Sequence, residues 1–128
     1  MTALVLEDDI ERISKFRKCL FNFQTTYVDS AENCIYMLKN NKYDFIALDH
    51  DLGGQVFVPT DEKNTGSEVA RWINNNYDNF INKESIIAVH SLNLPAAQNM
   101  LDLIPNSKHI PFLWLESVFK TNIKLNND

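Results

Sequence analysis

Residues 46–54 read IALDHDLGG: an apolar run enters Asp49, His50 and Asp51 without a polar break and then meets a glycine pair. Two carboxylates around an imidazole make a proton-transfer set, because histidine titrates near neutral pH and a carboxylate can fix its tautomer. Each of the three would be costly if buried without a partner, so the cluster is expected at a strand mouth, within reach of water or a ligand. Two other apolar runs end the same way. Glu7, Asp8 and Asp9 follow TALVL, and His90 and Ser91 follow SIIAV, with Asn93 just beyond. These residues are the candidates for acid–base chemistry.

The elements that must position them alternate. TALVLE (2–7) reads as a strand, and Ile10, Ile13, Phe16 and Leu20 then recur at helical spacing. TTYVD (25–29) is β-branched and aromatic, and Asp29 with Glu32 predicts a capping box for a helix carrying Ala31, Cys34, Ile35 and Leu38. YDFIAL (43–48) is apolar almost throughout, as a central parallel strand covered on both faces should be. The connection 50–65 far exceeds the usual two to six residues of a βα loop, which predicts a binding loop or lid over a ligand, with Phe57 placed to stack on a base. Thr65-Gly66-Ser67 opens the next helix, with Val69, Ala70 and Ile73 inward.

SIIAVH (85–90) is a fourth buried strand. Asn93-Leu94-Pro95 then supplies a cap and a first-turn proline to a helix with Ala97, Met100, Leu101 and Ile104. HIPFLWL (109–115) predicts a shorter fifth strand and ESVFKTNIKL (116–125) a closing helix. Alternating strands and helices imply right-handed crossovers and an α/β three-layer sandwich, a five-stranded parallel sheet in order 2-1-3-4-5. In such sheets ligands bind beyond the carboxyl ends of the strands, where all the polar clusters above converge.

The bulk numbers agree with one domain over residues 1–128 and narrow the partners. The chain is 45% hydrophobic and 23% charged, with a net charge of −5. Twelve basic residues scattered among seventeen acids cannot form the basic stripe that duplex nucleic acid requires. No apolar run approaches the roughly 20 residues of a membrane span, and MTALVLEDD is not a signal peptide, so a cytoplasmic location without membrane contact is expected. Cys19 and Cys34 fall inside helical patterns without metal spacing and read as reduced thiols.

Over essentially its whole length the chain resembles the receiver domains of response regulators. VLEDD resembles their acidic pair, with Glu7 and Asp8 in the pair positions, and DFIALD places Asp49 at the phospho-accepting aspartate. Full analogy would have Asp8 and Asp49 bind magnesium and Asp49 take a phosphoryl group. Two departures stand out. HIPFLWL lacks the lysine that receivers carry before a proline at the end of strand five, and His90 replaces their Thr or Ser. What remains is similar to the cyclic-phosphate processing receiver domains, marked by LDHDLG after strand three, Thr-Gly before helix three and HS.N after strand four. Here these are LDHDLGG, Thr65-Gly66 and HSLN (90–93).

That resemblance implies hydrolysis of a cyclic phosphate in a nucleotide or an NAD-derived species such as ADP-ribose cyclic phosphate. Ring opening needs an aimed water, a base and an acid for the departing alkoxide. His50 and His90 would divide those roles, Asp49 or Asp51 would orient an imidazole, and Glu7, Thr65, Ser91 and Asn93 would contact the substrate. Two mechanisms stay open at this point: a metal-free pair of histidines, or assistance by Mg²⁺ on Asp8 and Asp49. The rival class of function is a receiver-derived module that binds a nucleotide signal or a partner protein without turnover. Oligomeric state is not legible from the sequence.

Overall fold

The computed structural model describes residues 1–52, 58–112 and 117. In chain order the elements are β1 (Thr2–Leu6), α1 (Ile10–Cys19), β2 (Gln24–Val28), α2 (Ala31–Asn40), β3 (Phe45–Leu48), α3 (Gly66–Asn75), a single 3₁₀ turn (Tyr77–Asn79), β4 (Ile86–Val89), α4 (Leu94–Leu103) and β5 (Lys108–His109). All strands are parallel, in the order β2-β1-β3-β4-β5.

Side chains alternate along each strand and so build two cores. Leu4, Leu6, Ile46, Leu48, Ile87 and Val89 face one side and pack with residues of α2, α3 and α4. Ala3, Val5, Ala47 and Ala88 face the other, where these small residues leave room for Phe16 of α1 and for Leu20 just after it. The central strands are apolar on both faces because both are covered.

Local chemistry sets the helix starts, with two departures from the sequence reading. Ser30, not Asp29, caps α2: its backbone is extended and its Oγ accepts from the Asn33 amide at 3.2 Å. Ile10 does not join the buried stripe of α1; it sits at the first helical position and is exposed, while Phe16 carries the contact with the sheet. Asp9 caps α1, accepting from the Arg12 amide at 2.9 Å, and Asn93 caps α4 as the sequence predicts, with Pro95 in the first turn. The fifth strand is two residues long, ending before Ile110, because only Ala88 and Val89 of β4 pair with it. The closing helix over 116–125, Trp114, and the loop centre with Phe57 lie outside the described residues, apart from Ser117. Burial pushes the Cys34 thiol up to about 12, which makes it an inert core residue. Among the described residues no helix is long and apolar enough to cross a membrane.

Candidate functional site

Sheet register builds the site. Leu6 pairs with Leu48, and Leu48 with Val89, so the next residues, Glu7, Asp49 and His90, form one row at the carboxyl ends of three adjacent strands. Their amides continue the ladder: Asp49 N–H donates to Leu6 O at 3.2 Å and His90 N–H to Leu48 O at 3.0 Å. Two residues beyond Val5, Ala47 and Ala88, they share the face covered by α1.

Glu7 is 1% exposed and saturated. Its Oε1 accepts from Arg12 Nε at 2.8 Å and His90 Nε2 at 3.0 Å; its Oε2 accepts from Arg12 Nη2 at 3.1 Å and the amides of Asp8 and Asp9 at 3.1 and 3.2 Å. Burial pushes its carboxyl up, but the hydrogen bonds from His90 and Arg12 prevail and hold it at about 2. Asp49 has the opposite balance. Its Oδ1 accepts from the His50 amide at 2.9 Å, while its Oδ2 makes no hydrogen bond and lies 3.5 Å from Arg12 Nη2. Burial, reinforced by the negative Glu7, outweighs the pull of His90 and Arg12 and raises this carboxyl to about 6.

The buried ring of His90 stands edge-on to Phe16, centroids 5.1 Å apart. With Glu7 accepting at Nε2, a proton sits there, and in the neutral ring Nδ1 presents a lone pair. Among the described residues Nδ1 has no partner. Thus two buried polar atoms in one row, Asp49 Oδ2 and His90 Nδ1, make no hydrogen bond; Asp49 Oδ2 has only the longer ion pair to Arg12, and the bare His90 Nδ1 costs about 1–3 kcal/mol. Ligand-capable atoms of Glu7, Asp49 and His90 lie within 4.8 Å of one another.

His50 is one residue further on and faces the other way. Its Nε2–H donates to Val58 O at 2.7 Å, and its Nδ1 accepts from the Ser67 amide at 3.3 Å. Both ring nitrogens are therefore used by backbone, and the imidazole ties the long connection to α3. Asp51 belongs to the same clamp: its Oδ1 accepts from the Val58 amide at 2.9 Å and from Asn93 Nδ2 at 3.3 Å. Asn93 Nδ2 also donates to Val58 O, and Ser91 Oγ accepts from the Asn93 amide. Thr65 caps α3 through Oγ1 and donates to Glu62 O. The structure thus brings Glu7, Asp49 and His90 together and commits His50, Asp51, Thr65 and Asn93 to the loop. That loop's described flanks are tied down further, Arg71 donating to the carbonyls of Thr60 and Glu62 and Asn64 Oδ1 accepting from the Ala31 amide.

The Thr-Gly pair has a steric reason. A Cβ on Gly66 would lie 2.0 Å from the Asp49 carbonyl oxygen, so only glycine lets α3 begin against the backbone that carries the site. Its amide donates to His50 O at 3.0 Å.

Magnesium, which the receiver resemblance brings in, prefers oxygen ligands in octahedral array. The three-residue cluster does not include Asp8. Both Glu7 oxygens are already filled, and a guanidinium lies against both Glu7 and Asp49 where a cation would sit. The donor set does not fit the ion. Arg12 supplies the local positive charge, and sequence reading passed over it. Its signal was position: it lies one turn past the cap Asp9, so a long basic side chain can fold back over the strand end.

A parallel sheet in this order, with an aspartate closing its central strand and a glutamate closing the neighbour, is the receiver architecture. Solved receivers superpose on it. The Mn²⁺-bound form of response regulator Rcp1 matches with a TM-score of 0.69 at 15% identity, covering 94% of this chain and 92% of that one. The phosphorylated cyanobacterial phytochrome response regulator RcpA gives 0.68 at 19%, covering 93% and 88%. A CheY-like receiver domain from Methylobacillus flagellatus gives 0.62 at 17%, covering 94% and 97%. No curated protein matches the chain. The model of the cyclic-phosphate processing receiver domain matches residues 3–106, and the chain belongs to that family.

Two stability outcomes follow from this geometry. Asp49→Asn removes a buried carboxylate whose ionisation the fold disfavours; it should stabilise the protein by about 1–3 kcal/mol at pH 7.5. Since the raised group is penalised only when ionised, that gain should shrink as pH falls through 6 and vanish below about 4, read by thermal melts across pH. Gly66→Ala should cost about 3 kcal/mol at every pH, because backbone rather than a flexible side chain must move.

Proposed function

We propose that the Glu7–Asp49–His90 row hydrolyses a cyclic phosphate carried by a nucleotide or an NAD-derived species such as ADP-ribose cyclic phosphate. The observation that carries this reading is His90: a buried imidazole fixed by Glu7 at one nitrogen, with the other unpaired beside an aspartate raised to about 6. A carboxyl pushed towards neutrality beside an imidazole with a bare nitrogen is the pattern of an acid and a base at one centre.

In this reading His90 Nδ1 takes a proton from water as its oxygen bonds to phosphorus. The bond from phosphorus to one ring oxygen breaks, and protonated Asp49 gives its proton to that departing oxygen, leaving a phosphomonoester. Glu7 orients His90, as a carboxylate orients the imidazole in a catalytic triad. Arg12, held by Glu7, offers its charge to the non-bridging oxygens; this meets the need that the lysine of strand five meets in the receivers the sequence resembles. His50, read from sequence as the second proton carrier, instead shapes the loop in this account, because using its ring would break two backbone hydrogen bonds.

The test is turnover of purified protein on 2′,3′-cyclic nucleotides and ADP-ribose cyclic phosphate, with product monoester as the readout. Chelator should leave the rate unchanged. His90→Gln, which keeps an N–H for Glu7, should hold the melting temperature within a few degrees and lower kcat by about 10²–10⁴. The rate should fall as pH rises through about 6, as Asp49 loses the proton it must donate. Tight binding of one compound without turnover would replace the hydrolase by a nucleotide-binding module, and stoichiometric phosphorylation of Asp49 by acetyl phosphate would restore a receiver.

A further inference from the structure

The row that does not fit magnesium carries the donor set of a softer cation. A histidine that ligates a metal gives its other ring proton to a carboxylate, which turns the bare nitrogen towards the ion and makes it a better donor. Glu7 and His90 form such a pair: Nε2–H donates to Glu7 Oε1 at 3.0 Å, and Nδ1 has no partner among the described residues. Asp49 Oδ2, in the same row, makes no hydrogen bond. Both residues are more than nine-tenths buried. An imidazole nitrogen beside a carboxylate oxygen suits a borderline ion such as Zn²⁺, which binds each at about 2.0–2.2 Å.

We infer that the row is an inhibitory zinc site, with His90 Nδ1 and Asp49 Oδ2 as its protein ligands and Glu7 behind His90 as its orienting carboxylate. Glu7 is not itself a ligand, because Arg12, His90 and two amides fill its oxygens. Ligand-capable atoms of the three residues lie within 4.8 Å of one another, close enough for side-chain rotation to bring two of them to the roughly 3.4 Å that separates two donors on a tetrahedral ion. Water takes the remaining positions. Arg12 is the competitor. Its guanidinium is anchored on Glu7 at 2.8 and 3.1 Å but meets Asp49 only at 3.5 Å, and its side chain is 33% exposed. An entering cation therefore displaces Arg12 from Asp49 without breaking its bonds to Glu7. Two protein ligands facing a fixed positive charge make a reversible site. Zinc on Nδ1 occupies the lone pair that would take the proton from water, so it stops turnover; this consequence alone rests on the hydrolase reading above.

The metal alone tests the site. The full chain is titrated at pH 7.5 with Zn²⁺ and, separately, with Mg²⁺; histidine-ring ¹H–¹⁵N spectra locate the ion and calorimetry gives Kd. Zinc should shift His90 Nδ1 and leave the His50 nitrogens, held by Val58 and Ser67, in place, while magnesium should shift neither. His90→Gln should abolish the binding, and Asp49→Asn should weaken it tenfold or more, while Glu7→Gln should weaken it about 10–100-fold. Arg12→Met, which removes the competing charge, should tighten it severalfold, and Asp8→Asn should leave it unchanged. Melts in metal-free buffer identify any variant that fails to fold, and the wild-type spectra decide independently of all of them. A His90 Nδ1 that does not respond, shifts confined to His109, magnesium binding as tightly as zinc, or weaker zinc binding in a folded Arg12→Met protein would overturn the site. Zinc on His90 without hydrolysis of any cyclic phosphate supports the site and removes only the catalytic reading. Hydrolysis that continues at the wild-type rate with His90 saturated by zinc overturns the inhibition.

Discussion

Glu7 is a buried carboxylate at the end of a central strand, and the site is arranged around keeping it charged. Such an anion is tolerable only if donors replace its water, and five N–H groups do so: two from Arg12, one from His90, and the amides of Asp8 and Asp9. Each donor is fixed by this bond in turn. The chain turns at Asp8 and Asp9 into α1, Arg12 folds back over the strand end, and the His90 ring is held in one tautomer. Asp49, between them in the sheet, is pushed towards neutrality by burial and by the neighbouring negative charge, with one oxygen that makes no hydrogen bond.

The two carboxylates therefore pull stability in opposite directions with pH. Glu7 is lowered from 4.5 to about 2, so its contribution is present above 4.5 and disappears as pH falls towards 2. Asp49 is raised from 3.8 to about 6, so its contribution is present below 3.8 and disappears as pH rises through 6. At neutral pH the fold retains the first and has given up the second. Ionised Asp49 is thus a cost that the fold carries at neutral pH.

Much of this was legible in the sequence because burial and period leave few choices. Strands apolar on both faces, such as FIAL and IIAV, require helices on both sides, and with alternating helices the sheet order follows. Pairing of strand ends put Glu7, Asp49 and His90 on one rim, together with Asp8, Asp9, His50, Asp51 and Ser91. The strand period also held the information that was not used. His50 follows Asp49 by one residue and must point to the opposite face, so it could not share a pocket with His90. Asp51 and Asn93 were recognisable as polar residues of a motif, but besides each other they bond backbone groups of Val58, which no side-chain pattern reveals. Arg12 was overlooked because its partners are fixed by the turn between β1 and α1 rather than by the helical stripe. The capping residue of α2 was misplaced by one because Asp29 and Ser30 are both good caps and only the backbone turn decides.

The central claim is that Glu7 fixes His90 with its proton on Nε2 and leaves Nδ1 as a lone pair in a buried site. Long-range ¹H–¹⁵N correlation spectra of the histidine rings read the tautomer directly. At neutral pH, His90 should show a protonated Nε2 and a bare Nδ1, and Glu7→Gln should weaken that preference while leaving the His50 tautomer, fixed by Val58 and Ser67, unchanged. A His90 ring that carries its proton on Nδ1, or that averages both tautomers as a solvated imidazole does, would contradict the account.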